Sequence, residues 1–169
     1  KCDAIHFNQI TGIVQLINKE NKFDKKNRKI KKPILWNNNS QITGDSIHIK
    51  FNTEKNIIDS LYVFDNAFII EKDTFELGYN QISGKILNGN FINGKLKEVD
   101  IIKNAESIYY LRNSENELIG IDKSKSAKIK IFISEQNIDT FTKVNQIDGK
   151  IYPEDEFNEN DKFLKGFYF

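Results

Sequence analysis

The chain has one cysteine, two prolines, two histidines, one tryptophan and no methionine among its 169 residues. With Cys2 alone, no internal disulfide can form and a four-cysteine zinc site is excluded. His6 and His48 are the only histidines, and neither sits in an H-E-x-x-H motif or beside a cysteine at helical spacing. A nucleophile elbow is missing, and so are the glycine patterns that cradle phosphate. No apolar run approaches the roughly 18–20 residues that a membrane-spanning helix needs. The formal net charge is only +1, from 25 basic and 24 acidic side chains. A dedicated nucleic-acid binder usually carries a large basic excess, so the balance argues against that class. No positively charged segment followed by an apolar stretch opens the chain, so no signal peptide is visible in it. A lipid-anchored cysteine would be the first mature residue, whereas Lys1 precedes Cys2. The start without Met suggests a trimmed mature protein or part of a longer chain. The length fits one domain spanning 1–169 with a sizeable core. No catalytic residue, metal site or cofactor is expected.

What is abundant is isoleucine, at 27 residues, and asparagine, at 21. Isoleucine favours strands, and asparagine favours the turns between them. The pattern Asn/Ser-Gln-Ile-x-Gly occurs four times, at Asn8–Gly12, Ser40–Gly44, Asn80–Gly84 and Asn145–Gly149. Asn116-Glu117-Leu118-Ile119-Gly120 is a looser copy. The spacing predicts about five hairpin units of 29–40 residues. Each glycine is expected to mark a turn or bulge.

Strand-like alternation follows several of these glycines. It reads Ile47-His48-Ile49-Lys50-Phe51, then Leu87-Asn88-Gly89-Asn90-Phe91, then Ala127 to Ile133. One face of each such strand is apolar and the other polar. Second strands begin at Ile58, Leu96 and Ile138. Asn93-Gly94 predicts a two-residue hairpin, because both positions tolerate positive φ. Helical signals are weak. The expectation is all-β: about ten to fourteen short strands in serial antiparallel hairpins, stacked as an open jelly roll.

Charge is unevenly placed. Residues 22 to 32 carry seven bases against one acid, and residues 154 to 161 carry five acids and no base. Both read as solvated loops. Trp36, after Pro33-Ile34-Leu35, reads as a core or rim anchor.

The stretch Lys32–Trp36 followed by Ser40–Ile47 resembles the OstA-like proteins of Bacteroidetes. These are relatives of the lipopolysaccharide-transport family, which includes the LptA periplasmic bridge and the N-terminal domain of the outer-membrane translocon. Similar stretches are Asp59–Val63, Asn66–Ile70, Asn80–Lys85, Glu98–Asp100, Asn104–Glu106, Glu117–Ile121 and Asp148–Glu154. They run in family order from about Pro33 onward. The resemblance implies an open, twisted LptA/OstA-like β-jelly roll whose apolar interior holds acyl chains. It implies lipopolysaccharide as ligand, and other jelly-roll domains or copies of this chain joined edge to edge as partners. It also implies a periplasmic, Gram-negative setting near the outer membrane. No catalytic motif comes with it.

Carried onto the alternating strands, the implied groove residues are Ile47, Ile49, Phe51, Leu61 and Val63. The second copy adds Leu87, Phe91, Val99 and Ile101, and the third adds Ile129, Ile131, Ile133 and Phe141. The same residues could instead form a dry core in a module that assembles an envelope complex by strand-edge pairing, without lipid. A carbohydrate-binding or hydrolytic β-protein would need an exposed aromatic platform or a convergent acid pair, and the sequence displays neither.

Overall fold

A computed structural model describes residues 1–18, 32–37, 40–73, 75, 78–134 and 137–169. Of the basic segment 22–32, only Lys32 falls among them. Among these residues eleven strands form one antiparallel sheet: β1 (Ala4–Asn8), β2 (Ile13–Ile17), β3 (Ile34–Asn37), β4 (Ser40–Thr43), β5 (Ser46–Asn52), β6 (Ile57–Lys72), β7 (Tyr79–Ile92), β8 (Lys95–Arg112), β9 (Leu118–Ser134), β10 (Asn137–Val144) and β11 (Asp148–Tyr152). The main order is β1-β2-β5-β6-β7-β8-β9-β10. Strand β4 pairs with β6 and β3, and β11 pairs with β9. The expected all-β, open jelly-roll class is what the chain adopts.

The strands are less uniform than expected: β6 to β9 run 14 to 18 residues each. The cause is a run of left-handed dipeptides inside strands. Asp65-Asn66 and Lys103-Asn104 have positive φ, and at each the ladder slips so that two residues oppose one. A third such dipeptide, Asn145-Gln146, separates β10 from β11, which pair with the two halves of β9. Among the described residues, six of the nine non-glycine residues with positive φ are asparagines, the side chain that best tolerates that region. Part of the asparagine content therefore bends strands as well as closing turns.

At these bulges the sheet folds on itself into two leaves. Leaf one holds β1, β2, β5, β10 and residues 57–64, 86–92, 95–102 and 128–134. Leaf two holds β3, β4, β11 and residues 67–72, 79–84, 105–112 and 118–126. The fold-back is proved by contacts. Asp122 and Ile129 are seven residues apart on β9, about 23 Å if extended. Yet Asp122 meets Lys143, the cross-strand neighbour of Ile129, at 2.5 Å.

Gly44 and Gly84 lie where the leaves converge. A Cβ on either would overlap a side chain of leaf one, Val63 or Ile101. Gly120 lies at a slip of the β8–β9 ladder, where Leu111 pairs with Gly120 and Arg112 with Leu118, so it marks a bulge as expected, whereas Gly149 lies within β11 and marks neither turn nor bulge. Asn93 and Gly94 form the predicted hairpin turn, both with positive φ.

Two apolar clusters result. The larger lies between the leaves, and the smaller lies on the outer face of leaf two. There Phe68, Ile70, Ile108, Tyr110 and Ile121 are covered by Phe157, Leu164 and Phe167 of the C-terminal segment. The acidic stretch becomes two exposed turns, Glu154–Glu156 and Glu159–Asp161, tied by the Lys123–Asp161 and Lys162–Glu159 pairs.

Candidate functional site: an apolar groove between two leaves

Alternation puts every second residue of leaf one on its inner face, and the pairing register aligns these residues into rows. One row reads Ile5, Leu16, Ile47, Val63, Leu87, Ile101, Ile129, Lys143 across eight strands. The next reads Phe7, Val14, Ile49, Leu61, Gly89, Val99, Ile131, Phe141. Opposite them, leaf two presents Leu35, Ile42, Ile69, Ile82, Ser107, Ser124, Gly149.

The groove residues expected from sequence are brought together. Ile47, Leu61, Val63, Leu87, Val99, Ile101, Ile129 and Ile131 belong to the buried inner cluster, and Ile49, Phe91, Ile133 and Phe141 pack against it. Phe51 is half-buried and stands outside that cluster. The two sets differ in access. Near the bend Ile47, Val63, Ile101 and Ile129 are 0% exposed and pack as a filled core. Towards the free edges of the leaves Ile49, Phe51, Phe91, Ile133 and Phe141 are half-buried, and Val14 and Leu96 join them. On the N-terminal side Ile5 and Phe7 continue the inner rows while remaining 64% and 56% exposed.

The outer face of leaf one is polar by comparison. Lys128 and Lys130 pair there with Asp100, and Lys130 also with Glu98. His48 lies on that face against Phe64, ring centroids 4.9 Å apart, and partial burial holds its pKa below the usual imidazole value. Among the described residues no group of three or more His, Cys, Asp or Glu side chains could hold a metal ion.

No protein-family model matches the chain, and no curated protein matches it. Among solved structures it matches LptH, described as "the LptA homologous periplasmic component of the conserved lipopolysaccharide transport device from Pseudomonas aeruginosa". The match has a TM-score of 0.60 and covers 90% of this chain and 93% of LptH. The fold is that of LptH. Sequence identity is 12%, so the likeness to LptH establishes architecture alone.

Three features of this LptH-like fold escaped sequence reasoning. First, Lys143 and Asp122 stand in the inner phase, two residues from Phe141 and Ser124, and a polar residue in an apolar phase was the available signal. Second, Gln41 and Gln81 are fully buried on the outer face of leaf two and bind the C-terminal segment. Third, the sequence left Trp36 open between core and rim, and the structure places it at the rim. It is half exposed and meets Phe169 edge-on at 5.3 Å. The Trp36 and Phe169 rings are inclined by 70°, so this pair is no flat platform for a sugar.

Proposed function

We propose that this chain is an OstA-like component of lipopolysaccharide transport in the periplasm of a Gram-negative bacterium, of the kind found in Bacteroidetes. It shields acyl chains against the inner face of leaf one and hands them towards the outer membrane. The observation that carries this reading is the pair of apolar rows running from β1 to β9 with accessible outer margins. The shared fold with LptH supports it. Acyl chains need unbroken apolar lining without unpaired polar groups, which these rows supply. Because the residues near the bend are filled by one another, the lipid-contacting set is the half-buried margin before β10: Ile49, Phe51, Phe91 and Ile133. No turnover chemistry is needed, and direction comes from an energy source elsewhere in the machine. Among the described residues strands β1 and β10 each have one neighbour, so each offers an edge to a further jelly-roll domain or a second copy.

Binding of purified lipopolysaccharide to the isolated chain tests this. Phe91→Glu and Ile49→Glu place a charge on the margin and should weaken binding by about tenfold or more. Asn90→Glu, on the opposite face of the same strand as Phe91, should leave it unchanged. Equal binding by all three variants contradicts the groove.

The filled bend favours a second reading, a module that joins envelope proteins through its strand edges and holds no lipid. On that reading the margin variants have no lipid binding to lose, while blocking β1 or β10 abolishes assembly.

A further inference from the structure

The groove has two unlike ends. At the β1 end the inner rows terminate in Ile5 and Phe7, both more than half exposed. At the β10–β11 end the leaves touch. The Lys143 Nζ of leaf one meets the Asp122 carboxylate of leaf two at 2.5 Å, and the Tyr109 and Phe141 rings meet across the same gap, 5.3 Å between centroids. Asp122 also accepts a hydrogen bond from Ser124 Oγ at 3.1 Å, and Ser107 and Ser124 share another at 3.0 Å. The opposite wall has turned polar by this point, since Ile82 is followed in its row by these two serines. The side chains of Lys143 and Asp122 keep only 18% and 10% of their exposure.

We propose that the Lys143–Asp122 pair is a stop for acyl chains, leaving the groove open at β1 and shut at β10–β11 until the pair is parted. This rests on the lipid-groove reading above. An acyl chain reaching Phe141 would have to separate two largely buried charges without offering either a partner, which costs far more than its own burial returns. Lys143 and Asp122 thereby set how far along the sheet a saturated acyl chain can lie.

The test places a photo-reactive phenylalanine analogue at Phe7 or at Phe141 of the full chain, with purified lipopolysaccharide as probe. Capture at Phe7 should exceed capture at Phe141 by about tenfold. In Asp122→Leu/Lys143→Met the Phe141 position should rise to the level of Phe7. Replacing both charges by apolar groups of similar size preserves folding, whereas Lys143→Met alone strands a buried carboxylate and should melt earlier. Equal capture at both ends of the unaltered chain overturns the stop and leaves the groove standing. An unchanged ratio in the double variant overturns the pair as its cause. No capture at either position in either background overturns stop and groove together.

Discussion

Replacing Ile101 with Ala should lower the free energy of unfolding by about 2–5 kcal/mol, the range for emptying a fully buried aliphatic site. Ile101 is 0% exposed and sits where the leaves converge, with its Cγ2 in the space that a Cβ on Gly84 would need. Collapse cannot fill the hole easily, because the Lys103-Asn104 bulge fixes the backbone two residues away. Gly84→Ala should cost about 1–3 kcal/mol for the reverse reason, an added methyl with no room. Combined, the two changes should cost less than their sum, since the new methyl enters the emptied space. Urea unfolding followed by far-ultraviolet circular dichroism measures all three. Strict additivity would mean that the leaves do not meet at this point.

A second large effect is expected at Gln81. Its side chain is fully buried, its Oε1 accepts from Leu164 N–H at 2.9 Å, and its Nε2 donates to the Lys162 carbonyl at 2.7 Å. Gln81→Ala strips the buried Leu164 amide and the part-buried Lys162 carbonyl of their partner, a loss of about 1–4 kcal/mol from the desolvation penalties of the two groups. The loss should be local at first. Residues 153–169 should become protease-sensitive, and the Leu164 amide should exchange faster, while the β6–β9 amides stay protected. Uniform loss of protection across the sheet would show instead that the C-terminal segment and the sheet unfold as one unit.

The alternation of Ile47, Ile49, Leu61, Val63, Leu87, Val99, Ile129 and Ile131 was legible because a strand's two faces differ by a period of two, and the core tolerates only one of them. The Asn93-Gly94 hairpin was legible because its chemistry is local. The bends were not. Asp65-Asn66 and Lys103-Asn104 have turn composition, and nothing in the sequence distinguishes a dipeptide that ends a strand from one that bends it while pairing continues on both sides. The hold of Gln41 and Gln81 on the C-terminal segment was hidden for a related reason. In Gln41-Ile42-Thr43-Gly44 and Gln81-Ile82-Ser83-Gly84, Ile and Gly point between the leaves while Gln points outward, to a segment more than eighty residues away. The same letters do not guarantee the same environment. Ile10 and Ile147 hold the Ile position of two other copies and are exposed, because no second leaf lies over them.

Access along the inner face of leaf one was also beyond the sequence. Ile101 and Ile133 share residue type and strand phase, yet one is sealed at the bend and the other half-open at the margin. Their difference is set by distance from the bulges, a property of the fold-back.

The most direct test of the lipid-groove account compares neighbours on one strand. Photo-crosslinking residues placed in cells at Ile49, Phe91 and Ile133 point between the leaves, and those at His48, Asn90 and Phe132 point away. The account predicts lipopolysaccharide adducts at the first three and none at the second three. Adducts at both sets alike, or protein adducts alone at the first three, would contradict it.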